Sequence, residues 1–325
     1  EYAFTFEDEQ TTVELSKADL TDKKELPGAS LKVTDEDGNT VDEWVSKEEA
    51  HIIKGLIVGK KYKMTETKPA DGYVTAESIE FTVENTKEVQ KHQMLDDVTK
   101  VEISKKDITD SSEVPGAKLI ILDKDGKKVE SWTSTDKPHM VKKLPVGKYT
   151  LREEQAPDGY LIAEDVKFTV KDTGKVQKIK MKDAHPYGKL VIKKTDSTSK
   201  AALPGAEFEL REKESGKVVE KLVTDKTGTA TSGKLPIATY KNGKVEKTVE
   251  YILVETKAPN GYELSSKKEE IRLEYKDGKT KVIEIVKEIK NTKSPSGSTP
   301  TGNSPKTGDS TNIWLPILLA VLSAC

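Results

Sequence analysis

Three copies of one stretch constrain this chain more than anything else in it. The stretch reads Tyr62-Lys-Met-Thr-Glu66-Thr-Lys-Pro-Ala-Asp-Gly72-Tyr73, then Tyr149-Thr-Leu-Arg-Glu153-Glu-Gln-Ala-Pro-Asp-Gly159-Tyr160, then Tyr251-Ile-Leu-Val-Glu255-Thr-Lys-Ala-Pro-Asn-Gly261-Tyr262. Its first half alternates, with Tyr, then Met or Leu, then Glu at every second position, as a half-buried β-strand does. Its second half, Pro with Asp-Gly or Asn-Gly, is turn chemistry that stops the strand. The Glu therefore ends a strand on the face that Tyr and Met or Leu claim for a core. A carboxylate aimed inward needs a partner, because an unpaired buried charge is costly.

Two further motifs keep the same period. Each repeat opens with a strand ending in Lys: Val13-Glu-Leu15-Ser-Lys17, Val101-Glu-Ile103-Ser-Lys105 and Leu190-Val-Ile192-Lys-Lys194. An Asp follows two residues later, at Asp19, Asp107 and Asp196, and then Leu26-Pro-Gly-Ala, Val114-Pro-Gly-Ala or Leu203-Pro-Gly-Ala. The Lys spacings are 105 − 17 = 88 and 194 − 105 = 89, and the Glu spacings are 153 − 66 = 87 and 255 − 153 = 102. The third repeat thus carries an insertion, placed around Tyr240 to Glu250, where Lys241-Asn-Gly-Lys244 reads as a hairpin turn.

Turn signals cut the first repeat into strands at roughly Val13–Lys17, Ala29–Thr34, Thr40–Val45, His51–Leu56, Tyr62–Glu66, Ile79–Val83 and Glu88–Leu95. Six or seven short strands in such a span predict an all-β chain of tandem immunoglobulin-like or prealbumin-like β-sandwich domains. The expected organisation is 13–99, 100–187 and 188–291 for the three repeats. Residues 1–12 read as the last strand of a preceding repeat, because Asp8 precedes Lys17 as Asp96 precedes Lys105, nine residues in each case. The chain is accordingly expected to be the C-terminal piece of a longer array. Residues 292–303 are a Ser/Thr/Pro/Gly linker, and 304–325 close the chain with an apolar run from Ile313 that is shorter than a membrane span.

Composition excludes several classes of function. Charged and hydrophobic residues each make up 34% of the chain, which suits several small β cores rather than one large one. Arg occurs only at 152, 211 and 272, so the guanidinium forks of a nucleic-acid surface are missing. The single cysteine, Cys325, leaves no disulfide to stabilise a domain. His51, His92, His139 and His185 stand far apart, so no metal site is expected. Neither a Ser/His/Asp set nor a phosphate loop is visible, and neither an external substrate nor a cofactor is expected.

Strand parity carries the chemistry. Val13 and Leu15 share a face with Lys17, and the same holds for Lys105 and Lys194. On the last strand of each repeat Met94 shares parity with Asp96, Met181 with Asp183, and Ile289 with Asn291. Each repeat therefore aims a Lys, a Glu and an Asp or Asn into its own core: Lys17/Glu66/Asp96, Lys105/Glu153/Asp183 and Lys194/Glu255/Asn291. Desolvation favours the neutral forms of an amine and of a carboxyl. A neutral amine held against an acid or amide is a nucleophile, and a neighbouring Glu can move the proton. The product would be a side-chain amide. Two plainer readings stay open: a buried ion cluster with no covalent bond, or Lys and Asp at strand ends reaching solvent.

With these motifs assembled, the chain resembles the CnaB-type, SpaA-like prealbumin domains of Gram-positive surface proteins and pilins, in three copies over residues 13–291. The resemblance implies isopeptide bonds joining Lys17 to Asp96, Lys105 to Asp183 and Lys194 to Asn291, with Glu66, Glu153 and Glu255 as catalysts. It implies self-processing, not enzymatic turnover. Ser304-Pro305-Lys306-Thr307-Gly308 resembles a sortase sorting signal with Ser for the usual Leu and with the basic end missing. That implies a sortase partner, covalent attachment to peptidoglycan through Thr307, and an extracellular, cell-wall-anchored location. The leading expectation is a structural stalk presenting an absent N-terminal head. The alternatives are an adhesin whose repeats bind a host matrix protein, or a pilin subunit.

Overall fold

The structure is a computed structural model that describes residues 9–295. The first repeat contains β1 (Thr12–Asp19), β2 (Ser30–Thr34), β3 (Thr40–Val45), β4 (His51–Lys54), β5 (Lys61–Lys68), β6 (Ile79–Thr82) and β7 (Gln90–Asp96). The second contains β8 (Lys100–Asp107), β9 (Lys118–Leu122), β10 (Lys128–Thr133), β11 (His139–Lys142), β12 (Gly147–Gln155), β13 (Val166–Val170) and β14 (Val176–Asp183). The third contains β15 (Tyr187–Asp196), β16 (Glu207–Glu212), β17 (Val218–Val223), β18 (Thr229–Thr231) and β19 (Leu235–Pro236). It continues with β20 (Ala238–Lys241), β21 (Lys244–Thr248), β22 (Glu250–Lys257), β23 (Lys268–Arg272) and β24 (Val282–Asn291).

Each repeat is two sheets closed over a core, as the alternating strands require. In the first, a three-stranded sheet ordered β4-β1-β7 faces a four-stranded sheet ordered β3-β2-β5-β6. The second repeats this as β11-β8-β14 against β10-β9-β12-β13. In the third, β18, β19 and β24 pair with β15, opposite β17-β16-β22-β23. First and last strands run parallel, β1 with β7, β8 with β14 and β15 with β24, whereas the other pairs are antiparallel. The opening Lys and the closing Asp or Asn of every repeat therefore lie on neighbouring strands. The cores are made by alternate residues such as Val13, Leu15, Leu31, Tyr62, Met64 and Met94. The insertion in the third repeat is the β20–β21 hairpin, turning at Asn242 and Gly243, both with positive φ.

Two details depart from the expected strands. β4 stops at Lys54, short of Leu56, because Gly55 turns the chain at a φ of 78°. The strand carrying the Glu also runs on past it, to Lys68, Gln155 and Lys257, through a register shift directly after the Glu. Thr67, Glu154 and Thr256 are the extra residues, so Leu31 pairs Glu66 while Ser30 pairs Lys68. Bulges of this kind re-aim a side chain beside a functional position.

Candidate functional site

The three sets that parity predicts come together in the three cores. Lys17, Lys105 and Lys194 are 1%, 2% and 0% exposed, which removes the reading in which these amines reach solvent. Glu66, Glu153, Glu255, Asp96, Asp183 and Asn291 are buried with them. Lys17 Nζ sits directly against Asp96 Oδ1, Lys105 Nζ against Asp183 Oδ1, and Lys194 Nζ against Asn291 Oδ1. The Glu reaches the amine from the opposite sheet: Glu66 Oε1 at 3.0 Å, Glu153 Oε2 at 2.9 Å and Glu255 Oε1 at 3.0 Å. The bulge separates the adjacent glutamates of the second repeat: Glu154 is exposed as the extra residue while Glu153 points inward.

Burial works against the charged forms of Asp96, Asp183 and Lys194. Burial pushes the Asp96 carboxyl up to about 7; Lys17 opposes the rise and Glu66 adds to it. Asp183 is likewise raised to about 7, first by burial, with Lys105 opposing and Glu153 adding. Lys194 is lowered by burial against the opposing pull of Glu255. In the first repeat Glu66 Oε1 lies near Lys17 Nζ but out of line for a hydrogen bond, and neither it nor Asp96 Oδ2 has a donor. Glu153 Oε1 and Asp183 Oδ2 likewise have no donor, although here Lys105 approaches the glutamate through Oε2. In the third repeat the Asn291 amide donates from Nδ2 to Glu255 Oε1 at 2.9 Å.

A second polar set recurs that parity alone does not flag. Tyr73, Tyr160 and Tyr262 donate to Oδ2 of Asp19, Asp107 and Asp196 at 2.7, 2.8 and 2.9 Å. This bond ties the turn after the Lys strand to the Gly-Tyr turn. Its sequence signal is the Asp of Lys-x-Asp together with the Tyr of Gly-Tyr, both present in every repeat. The first two of these clusters are the junctions between repeats. Lys143 of the second repeat reaches Tyr73 Oη at 2.5 Å, and the Gly72 backbone approaches so closely that an added Cβ would stand 2.4 Å from Lys143 O. At the next junction His185 binds Asp107 Oδ2 at 2.8 Å and stacks on Tyr240 of the inserted hairpin. Burial raises Asp107, but Thr109, Tyr160 and His185 outweigh it and bring its carboxyl down to about 2.

Trp44 and Trp132 cover the cores only in part, each stacked on a histidine, His51 or His139. Among the described residues no group of three or more His, Cys, Asp or Glu is placed to hold a metal ion. The Ser304–Gly308 pentapeptide, the apolar run behind it and residues 1–8 lie outside the described residues.

The repeated sandwich buries one Lys–Glu–Asp/Asn cluster per copy, and its fold is that of a prealbumin-like domain. The profile of the SpaA prealbumin-like fold domain matches residues 11–97, 99–185 and 188–289, and the chain belongs to that family. Among solved structures it is similar to the TIE protein of Bacillus anthracis, at 28% identity and a TM-score of 0.58, covering 88% of this chain and 52% of that one. The chain thus spans about half the length of that relative. BcpA, the major pilin subunit of Bacillus cereus, shares the fold at 18% identity and a TM-score of 0.51, covering 88% of this chain and all of that one. No curated protein matches the chain.

Proposed function

We propose that the chain is the stalk of a Gram-positive cell-wall surface protein, built of repeats that cross-link themselves. The observation that carries this is the burial of amine, carboxyl catalyst and acyl partner together in all three cores. In each repeat the Lys amine attacks Cγ of Asp or Asn. The new N–C bond replaces the C–OH bond of Asp96 or Asp183, or the C–NH2 bond of Asn291. The proton given up by the amine leaves with that group as water or ammonia, passed on by Glu66, Glu153 or Glu255. Each site reacts once, so this is maturation of the chain and not turnover.

The bond would join first and last strands and close loops of 79, 78 and 97 residues. By the chain-entropy estimate used for disulfides, each closure adds ~4–5 kcal/mol. Because the joined strands are parallel neighbours, tension entering one strand passes through the amide into the other and bypasses the domain between them. The linker at 292–303 and the signal Ser304–Gly308 complete the reading: a sortase joins Thr307 to peptidoglycan and the repeats hold an N-terminal region away from the wall.

Single-molecule pulling on the three repeats tests this. Extension without unfolding steps in the wild type, with steps restored in a chain carrying Lys17→Ala, Lys105→Ala and Lys194→Ala, supports a stalk. Full unravelling of the wild-type chain overturns it.

A further inference from the structure

We infer that the loop amide ten residues beyond each catalytic Glu is a positioning group for bond formation, which explains why the Glu and the Gly-Tyr turn travel together in the sequence. This rests on the self-cross-linking reading above. In the first repeat Ala76 N donates to Glu66 Oε2 at 2.6 Å. In the second Ala163 N donates to Glu153 Oε2 at 2.6 Å, and in the third Ser265 N donates to Glu255 Oε2 at 2.9 Å. The residues differ, Ala, Ala and Ser, so the shared element is the backbone N–H.

The geometry gives that N–H a task. A carboxyl on a strand can rotate, and only one of its oxygens can serve the acyl partner. The amide holds Oε2, and a donor on an oxygen disfavours a proton there. In the first repeat this leaves Oε1, the atom that has no donor and lies 3.0 Å from the amine, as the oxygen free to take the amine's proton. In the third, Oε1 meets both Lys194 Nζ at 3.0 Å and Asn291 Nδ2 at 2.9 Å, so the pinned carboxyl touches the nucleophile and the leaving group together. The second repeat keeps the amide and the bare Oε1, although Lys105 there leans on Oε2. The amide can arrive only because the chain reverses after the Glu. Tyr73, Tyr160 and Tyr262 close that reversal with i to i+3 hydrogen bonds to Ala70, Pro157 and Pro259. The same tyrosines anchor it to Asp19, Asp107 and Asp196.

The third repeat is the place to test this, because its bond alone releases ammonia. The full chain is unfolded from unlinked material, refolded, and followed by mass as ammonia is lost, in wild type, Ser265→Pro and Ser265→Ala. Proline removes the N–H, and alanine keeps it. The expected result is a slowing of about tenfold to a hundredfold in Ser265→Pro, the effect of losing a hydrogen bond to a charged group, with a wild-type rate in Ser265→Ala. The pH dependence of the residual rate should also shift, which loosened packing alone would not produce. If Ser265→Pro does not fold, an amide-to-ester replacement between Leu264 and Ser265 removes the same N–H and keeps the chain path. Ammonia loss at the wild-type rate in either variant overturns the inference and leaves the stalk reading standing. Absence of ammonia loss from the wild type overturns both.

Discussion

The first two repeats and the third bury the same amine and the same glutamate, yet they differ in the atom between them. Asp96 and Asp183 are carboxyls raised to about 7 by burial, and each leaves Oδ2 without a donor, as its glutamate leaves Oε1. Asn291 instead donates its own N–H to Glu255 Oε1. Either leaving group departs with the proton that the amine gives up, but the aspartate repeats must first hold their carboxyl protonated, whereas the Asn291 amide is neutral from the start. One scaffold thus accepts two acyl partners that differ in whether they titrate.

The largest expected effect probes what the repeats share. Lys17→Ala and Lys194→Ala should each lower unfolding stability by about 4–5 kcal/mol, measured by denaturant titration of the whole chain. The two losses should nearly match, because the logarithm of loop lengths 79 and 97 separates them by only about 0.2 kcal/mol. A large gap between them would mean that only one class of repeat is linked.

Next comes pH, where the classes should part. Attack on Asp96 or Asp183 needs the carboxyl protonated, so water loss should slow as pH rises through about 7. Asn291 does not titrate, and a higher pH frees the Lys194 amine, which burial already lowers. Ammonia loss should hold or quicken over the same range, followed by mass during refolding from about pH 6 to about pH 9. The sign for folding agrees. A carboxyl near 4 when unfolded and about 7 when buried binds more protons in the folded state, so unlinked first and second repeats should lose stability as pH rises across that window.

A smaller and sharper change is to exchange the acyl partners. Asn291→Asp should release water in place of ammonia and acquire the pH dependence of the first two repeats, and Asp96→Asn should do the reverse. The smallest effect concerns the hairpin that only the third repeat carries. Tyr240→Ala removes the stack on His185 and the bond to Gly159 O, at a cost of ~0.5–1.5 kcal/mol. Faster hydrogen exchange at the Gly159–Ile162 turn is the readout, with the internal bonds unaffected.

Much of this was legible in the residues. Period two along Val13-Leu15-Lys17 and Tyr62-Met64-Glu66 places the amine and the glutamate inward, and the unequal Glu spacing locates the hairpin at Asn242-Gly243. What strand parity could not supply is anything that depends on register between distant strands. The bulge after Glu66, Glu153 and Glu255 is invisible in an alternating pattern, since an extra residue looks like continued strand. The roles of Asp19, Asp107 and Asp196 were also hidden: each shares its strand's inward parity with the lysine but turns to a tyrosine more than fifty residues on. The loop amides at 76, 163 and 265 carry no side-chain signal at all.

Whether the three bonds exist is read from the mass of the whole chain, folded and then denatured without reduction or proteolysis. The expected value lies below that of the 325-residue sequence by two waters and one ammonia. A mass equal to the sequence would leave three buried clusters with no bond between them, and would contradict it.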